Sequence, residues 1–293
     1  MSISPRSIVI GGGTMLLQCA ELMLRAGHEI VAVSSPDAGL RDWASAWQIQ
    51  CVEKLRGLSA VGEFDYLFSI VNYRIVPGAI LRAARRMAVN YHDGPLPKYA
   101  GLHATSWAIL NRETTHAITW HVMTGKVDAG DILKQVPIPI RSEDTAASLN
   151  FKCHVTAVRA FAELLVELEA GTITRLAQDT TKRTYFSRSR RPTPDCVIPF
   201  DWTADRIAAF FRALDFGSQP NPIGYPKIAF NDKRYIVGRM EICAERSGAQ
   251  AETILELNDS FVRVATASAD LKLSDLKTLD GAPVKPSELK SLL

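Results

Sequence analysis

The first 33 residues run from strand to helix to strand, and this order constrains the fold more than any other feature. Residues 7–10 form a short β-rich run that ends in three glycines. Apolar residues with helical spacing follow, and they stop near Gly27, where a helix commonly ends. Residues 28–33 are again strand-like. Parallel strands need a crossover connection, usually a helix, so this opening predicts a parallel sheet.

The same alternation continues to residue 170. Predicted strands cover residues 66–71, 87–92, 117–123 and 132–140, and predicted helices cover residues 77–85, 105–110 and 146–170. The strand at 66–71 is almost continuously apolar, as expected in a sheet that is covered on both faces. The sequence therefore predicts an α/β domain over residues 1–180, with a Rossmann-like, open parallel or mixed sheet.

The pattern changes in the last third of the chain. Residues 181–199 are polar and basic and contain proline, which is typical of a linker. A helix is predicted at 204–214, followed by short strands at 228–230, 235–242, 254–257 and 261–265. Asn231-Asp232 and Asn258-Asp259 are turn signals between such strands. Residues 200–293 are therefore expected to form a small β-barrel-like (OB-like) domain.

Composition is typical of a globular protein with a full core. The 293 residues are 47% hydrophobic and 22% charged, and a formal charge of +3 does not by itself indicate nucleic-acid binding. The cysteines, 5 in number and widely spaced, predict neither a disulfide framework nor a structural zinc site. No apolar run approaches the roughly 20 residues that cross a bilayer, and the N-terminus lacks the apolar core of a signal peptide. We expect a cytoplasmic protein without membrane contact.

Two short motifs carry the functional prediction. Asn90 and His92 are two residues apart at the end of a predicted strand, so their side chains point to the same face. In open α/β sheets, ligands bind at the carboxyl ends of the parallel strands. A second loop, residues 124–131, lies between two predicted strands and carries Asp128 and Asp131. One of these carboxylates could close onto His92, and Asp128 is favoured.

These residue types suit acyl transfer to an amine. Histidine exchanges a proton near neutral pH, so His92 can act as acid and base. The amide of Asn90 can donate an N–H to a developing oxyanion. Asp128 can orient the imidazole and stabilise its charged form. Direct attack by an amine requires no serine or cysteine nucleophile.

The motif pair resembles the formyltransferase family that uses 10-formyltetrahydrofolate. The likeness rests on N-x-H-x(4)-P at residues 90–97 and on V-D-A-G-D-I-L at residues 127–133. Glycinamide ribonucleotide, methionyl-tRNA and sugar-amine formyltransferases belong to this family. The resemblance implies Asn90, His92 and Asp128 as catalytic residues, 10-formyltetrahydrofolate as formyl donor and no metal. Asp201-Trp202 also matches the motif that opens the family's β-barrel appendage.

The resemblance further implies where the substrates bind. The folate would contact two segments, namely Tyr73, Arg74, Ile75 and Val76, whose backbone would read the pterin edge, and Thr124, Gly125, Lys126 and Val127, which would close over it. Candidate acceptor-site residues are Gly12, Gly13 and Trp107. The family usually has Ser-Leu-Leu-Pro where this chain has Gly94-Pro95-Leu96-Pro97.

The sequence leaves several acceptors open. Residues 103–135 are closest to formylation domains at the head of peptide and polyketide assembly enzymes, whose acceptor is an amino acid, often on a carrier protein. The transfer-RNA branch has a Lys/Arg-rich loop after the second strand, whereas residues 34–49 contain one basic residue, Arg41. We therefore expect an amino acid or a carrier-tethered aminoacyl group as acceptor. Transfer RNA, a nucleotide-linked amino sugar and an inactive folate- or carrier-binding module are the alternatives.

Three further patterns receive structural interpretations. The glycine run at 11–13 lacks the last glycine of a dinucleotide fingerprint, because Leu16 stands there, and a tight turn is expected. The basic residues between 182 and 191 favour a solvated linker over a contact with phosphopantetheine or RNA. The remaining histidines that we considered as metal ligands share no ligand spacing, which favours core or surface roles for His103, His116, His121 and His154.

Overall fold

The protein was analysed as a computed structural model, which describes residues 4–230 and 233–292. Two compact units are present. The first comprises residues up to Ala104, Thr115–Pro139 and Asn150–Phe186, and the second comprises Thr105–Thr114, Ile140–Leu149 and the residues from Ser187 onward. Among the described helices, none combines the length and apolar character needed to cross a membrane.

A mixed, seven-stranded sheet forms the centre of the first unit. In chain order, the described residues up to Phe186 form β1 (Arg6–Gly11), α1 (Gly13–Arg25), β2 (Glu29–Ser34), α2 (Ala38–Ala46), β3 (Gln50–Cys51), β4 (Phe64–Ile70), α3 (Gly78–Ala83), β5 (Ala84–His92), the short β6 (Ala100–Gly101), α4 (Ala104–Leu110), β7 (Thr115–Val122), β8 (Ile132–Pro139), α5 (Ala146–Ala170) and β9 (Tyr185–Phe186). Most of α4 and the first turn of α5 belong to the second unit. The strand order is β3-β2-β1-β4-β5-β7-β8. The first five strands are parallel, and β7 and β8 each run antiparallel to the preceding neighbour. The predicted Rossmann-like mixed sheet is confirmed.

The centre of this sheet is buried on both faces, which explains its mostly apolar, β-rich runs. All seven residues of β4 are buried, and so are the last five of β1. The two strands meet closely at their ends, where a Cβ on Gly11 would lie 1.7 Å from the carbonyl oxygen of Ile70. A glycine is required there, because any side chain would collide with the neighbouring backbone.

Local propensity and long-range pairing disagree in one segment. We predicted a helix over residues 77–85, but α3 ends at Ala83 and β5 begins at Ala84. Ala84 pairs with Phe64 of β4, so pairing with the neighbouring strand places in β5 residues that would otherwise extend the helix. The helix α2, capped by the Asp37 side chain on the backbone N–H of Gly39, was not predicted.

Besides most of α4 and the first turn of α5, the second unit contains a six-stranded antiparallel sheet and a further helix. In chain order these are α6 (Ala204–Ala213), β10 (Lys227–Phe230), β11 (Lys233–Ile242), β12 (Ile254–Leu257), β13 (Val262–Ala265), β14 (Asp270–Lys277) and β15 (Pro283–Val284). The core includes Phe210, Val264, Leu271 and Leu273. The predicted small β domain is confirmed, although β14 was not foreseen. The predicted turn at Asn231-Asp232 lies outside the described residues.

Candidate active site

The carboxyl ends of the central strands bring several predicted residues to one edge of the sheet. Asn90 and His92 end β5, and Asn90 pairs with Ser69 near the end of β4. Gly11 at the end of β1 pairs with Ile70. The turn at Gly12 and Gly13, the segment that follows β4 and the Asn-x-His motif therefore share this edge, as the parallel topology predicts.

The imidazole of His92 is held in a defined orientation. Its Nε2 lies 2.8 Å from the carbonyl oxygen of Tyr99, so Nε2–H donates to the backbone. The other nitrogen, Nδ1, lies 3.7 Å from Oδ2 of Asp128 and 3.8 Å from Oδ1 of Asp93. His92 is buried, and Nδ1 is therefore the ring nitrogen available for proton exchange beside two carboxylates.

Gly94 lets the turn after β5 pass close to the His92 ring. A Cβ at this position would lie 2.8 Å from Nε2 of His92 and 3.0 Å from Cβ of Ala104. Thr119 fixes the turn by donating its hydroxyl to the carbonyl oxygen of Gly94 at 2.7 Å. A serine here would displace the imidazole, so the turn in this chain requires the glycine.

Asp128 is a buried carboxylate with several partners. Its Oδ2 accepts the backbone N–H of Gly101 at 2.8 Å, and its Oδ1 lies 3.5 Å from Nε2 of His121. Burial, the largest influence, would raise the pKa of Asp128, but the imidazoles of His92 and His121 and the Gly101 N–H outweigh it. The pKa of Asp128 is therefore below its usual value, and the carboxylate is charged at neutral pH.

Hydrogen bonds from two side chains hold the backbone of the loop that carries Asp128. Gln178 donates its amide to the carbonyl oxygens of Asp128 at 3.1 Å and Gly130 at 2.6 Å. Arg183 donates to the carbonyl oxygens of Asp128 at 3.0 Å and Val127 at 2.8 Å. These bonds hold Asp128 at a φ of 49°, a strained value for a residue with a side chain. Within the described residues, the Asp131 carboxylate makes no hydrogen bond or ion pair like those of the Asp128 carboxylate.

His121 completes the cluster, and sequence reasoning did not place it there. The antiparallel register of β5 and β7 puts His121 directly opposite Asn90. The Asn90 amide nitrogen lies 2.8 Å from the Tyr91 carbonyl oxygen and 3.1 Å from Nε2 of His121. Nδ1 of His121 lies 2.9 Å from the Val122 carbonyl oxygen, so this ring donates at Nδ1 and accepts at Nε2. The only sequence signal was its place in the strand before the Asp128 loop.

The segments predicted to bind folate expose apolar side chains. Tyr73 is 64% exposed, Ile75 76% and Val127 41%. Val76, by contrast, is buried. Exposed large apolar groups close to a polar cluster are typical of a binding surface.

Two polar networks fix the backbone of these segments. The Asn72 side chain bonds to both the N–H and the carbonyl oxygen of Arg74, whose guanidinium donates to the carbonyl oxygen of Ser34 at 2.6 Å. In the second segment, the Thr124 hydroxyl bonds to the backbone of Lys126, while a Cβ on Gly125 would meet open space. Both segments are thus held in place before any ligand arrives.

The predicted acceptor-site residues belong to both units, Gly12 and Gly13 to the first and Trp107 to the second. Gly12 is the N-cap residue just before α1, and the N–H of Gly13 lies 3.4 Å from a carboxylate oxygen of Asp37. Trp107 belongs to the second unit, where it is buried with the guanidinium of Arg190 5.3 Å from its ring centre. Over the described ranges, no group of three or more His, Cys, Asp or Glu residues could hold a metal ion.

Comparison with known proteins gives matches to both parts of the chain. A family model described as "Formyl transferase" matches residues 52–165, and a second, described as "Formyl transferase, C-terminal domain", matches residues 192–291. The two matched regions contain the Asn-x-His motif, the Asp128 loop and the antiparallel β domain.

Solved structures with the same fold cover between 76% and 100% of the chain. An N-formyltransferase from Helicobacter canadensis, solved with folinic acid and dTDP-3-aminofucose, has a TM-score of 0.70 at 20% identity and covers 93% of this chain and 99% of its own. HypX from Aquifex aeolicus in complex with tetrahydrofolic acid has a TM-score of 0.63 at 15% identity, covering 100% of this chain and 48% of its own. A 4-N formyltransferase from Francisella tularensis has a TM-score of 0.64 at 17% identity, covering 76% and 92%.

Proposed function

The chain belongs to the formyltransferase family, and from this premise we propose that it transfers the formyl group of 10-formyltetrahydrofolate to the α-amine of an amino acid, free or carrier-tethered. The observation that carries the proposal is the His92 imidazole, whose Nδ1 lies 3.7 Å from Asp128. In this proposal the chemistry belongs to residues 1–180, residues 181–199 are a linker, and residues 200–293 are an appended β domain.

His92 and Asp128 perform the proton transfers. When bound, the folate supplies a formyl carbonyl that an amine can attack. Nδ1 of His92 takes a proton from the incoming ammonium, and the charged Asp128 at 3.7 Å stabilises the resulting imidazolium. The amine nitrogen forms a bond to the formyl carbon, and the bond from that carbon to the folate nitrogen breaks. The folate nitrogen leaves with one proton from His92, and the second proton of the ammonium goes to solvent.

Asn90 and His121 stabilise the oxygen that gains negative charge. Both Asn90 amide hydrogens are engaged at rest, by the Tyr91 carbonyl and by His121 Nε2. The second proton of the ammonium, on its way to solvent, would protonate His121 Nε2 and turn this nitrogen into a donor toward Asp128, which is 3.5 Å away. One Asn90 N–H would then be released to the developing oxyanion, where such a donor is worth about 10²–10³ in rate.

The exposed side chains around the cluster fit a folate. Tyr73, Ile75 and Val127 expose large apolar surfaces in the two segments on either side of the catalytic residues, and a flat pterin would cover such surfaces. The hydrogen bonds of Asn72 and Thr124 hold both segments in advance, so little ordering entropy opposes binding.

An amino-acid acceptor agrees with the charge at the end of β1. A helix N-terminus such as that of α1 favours anions, yet an Asp37 carboxylate oxygen already lies 3.4 Å from the N–H of Gly13. A phosphate of transfer RNA or of a nucleotide-linked sugar would meet that carboxylate. The second candidate is a nucleotide-linked amino sugar, because the Helicobacter canadensis protein solved with dTDP-3-aminofucose matches this fold over 93% of the chain.

An acceptor screen tests the proposal directly. The protein is incubated with 10-formyltetrahydrofolate and, separately, with amino acids, amino-acid esters, a dTDP-amino sugar and methionyl-tRNA, and tetrahydrofolate release and formylated product are measured. We expect product with the amino-acid class. Product from the dTDP-amino sugar alone would replace this acceptor with the second candidate.

Two variants test the catalytic assignment. His92→Ala and Asp128→Ala should each lower kcat by at least about 100-fold, which is the usual contribution of an acid–base group. Asp131→Ala serves as the control, because its carboxylate lies in the same loop. Near-normal rates in His92→Ala or Asp128→Ala would remove the basis of the assignment.

A further inference from the structure

The carboxylate of Asp93 is a second charged group beside His92. Its Oδ1 lies 3.8 Å from His92 Nδ1, and its side chain is 31% exposed. The backbone of Asp93 is fixed, because its carbonyl oxygen lies 2.6 Å from Nε2 of His116. Within the described ranges, no hydrogen bond reaches the Asp93 carboxylate, so it can accept one from a ligand.

Among the described residues, no lysine or arginine forms an ion pair with Asp93 or Asp128. Among the described residues, the ion-pair partners of Asp93 and Asp128 are imidazoles. The nearby Arg183 directs its guanidinium to the backbone carbonyl oxygens of the Asp128 loop and not to a carboxylate.

We propose that Asp93 binds the acceptor through its ammonium group and selects amines whose neighbouring carboxyl group is blocked as a thioester, ester or amide. This inference rests on the proposed formyl transfer to an α-amine. A free amino acid would bring its own carboxylate toward Asp93 and Asp128, and like charges without a cation between them repel. A carboxyl-blocked aminoacyl group keeps only its positive charge, which both carboxylates attract.

The position of Asp93 also suits the first proton transfer. An ammonium bound to Asp93 lies within reach of Nδ1 of His92, since the carboxylate and the imidazole nitrogen are 3.8 Å apart. The ammonium donates one proton to Nδ1 and becomes the neutral nucleophile. Asp93 is therefore a binding residue for the acceptor, whereas Asp128 acts on the imidazole.

The test compares Asp93→Asn with the wild-type protein on matched acceptors. A panel of amino-acid methyl esters and the corresponding free amino acids is assayed at saturating 10-formyltetrahydrofolate. For Asp93→Asn we expect a KM for esters raised at least 10-fold, a KM for the folate that is unchanged, and a ratio of ester to free-acid kcat/KM reduced at least 10-fold. The change in this ratio cancels the intrinsic difference in reactivity between esters and acids.

Two further variants separate recognition from structure. Asp93→Glu keeps the charge and should restore most of the ester preference, and Asp131→Asn should leave it unchanged. An Asp93→Asn protein with the wild-type ester preference, or a wild-type protein that uses free amino acids as well as esters, would overturn the inference while leaving formyl transfer intact. If the wild-type protein formylates no α-amine, the proposed function itself fails.

Discussion

Replacing Gly94 with alanine tests how closely activity depends on the position of the His92 ring. The new Cβ would lie 2.8 Å from Nε2, where carbon contacts are normally at least about 3.5 Å, so the ring must move by about 0.7 Å. A shift of this size along the bond to Tyr99, now 2.8 Å, takes that bond beyond hydrogen-bonding range. A buried N–H then lacks a partner, which costs about 1–3 kcal/mol of folding free energy.

The rate should fall more steeply than the stability. Misplacement of a catalytic group by roughly 1 Å can cost about 100-fold in rate, so we expect kcat of Gly94→Ala to fall by about 30- to 100-fold. The KM for 10-formyltetrahydrofolate should stay near the wild-type value, because the folate segments are not moved. Gly39→Ala in α2 is the matched control, since a Cβ there would meet only the Asp37 carboxylate at 3.5 Å, an ordinary contact. A Gly94→Ala protein with wild-type kcat would refute the argument that the Tyr99 bond sets the ring position.

Two other perturbations follow from the same structure. His121→Ala removes the acceptor of an Asn90 N–H and should lower kcat/KM by roughly 10- to 100-fold, as for a hydrogen bond in a charged network. A glutamine at this position can accept a hydrogen bond but cannot take up a proton, so His121→Gln should recover only the part of the rate that is due to the orientation of Asn90. Wild-type rates in both variants would exclude a role for His121. His28 is buried and bonds to Ser7 at 2.7 Å, and burial first of all lowers its pKa from 6.5 to about 4. Between these two pH values the unfolded chain binds a proton at His28 and the folded chain does not. The free energy of unfolding therefore falls by roughly 3 kcal/mol as the pH drops from 6.5 to about 4. Urea unfolding across this range should show a steeper loss in the wild type than in His28→Gln, and identical slopes would contradict it.

The sequence predicted the fold well wherever burial and local pattern agree. The β–α–β opening and α5, observed at the predicted Ala146–Ala170, carry strong periodic signals. The predictions of secondary structure fail where residues distant in the sequence determine it. Ala84 joins β5 because Phe64 pairs with it, and β14 forms between β11 and β13, partners that no local pattern identifies.

The candidate site divides in the same way. Asn90 and His92 could be paired from sequence because two residues on one strand share a face. Asp128 required the family motif, and its proximity to His92 comes from a loop held by Gln178 and Arg183, far along the chain. His121 could not be assigned to the site from the sequence, because its partner depends on strand register, which is a property of the assembled sheet.

The register of β5 and β7 has a consequence for when the chemistry arises. Asn90 sits opposite His121 and His92 opposite Thr119, so the first motif acquires these cross-strand neighbours only after β7 has added to the sheet. A growing chain that has emerged as far as the Asn-x-His motif holds the signature residues but no working centre. The rate at which formyl transfer activity returns during refolding would therefore report when β7 docks on the sheet, which is a later event than the local formation of α1.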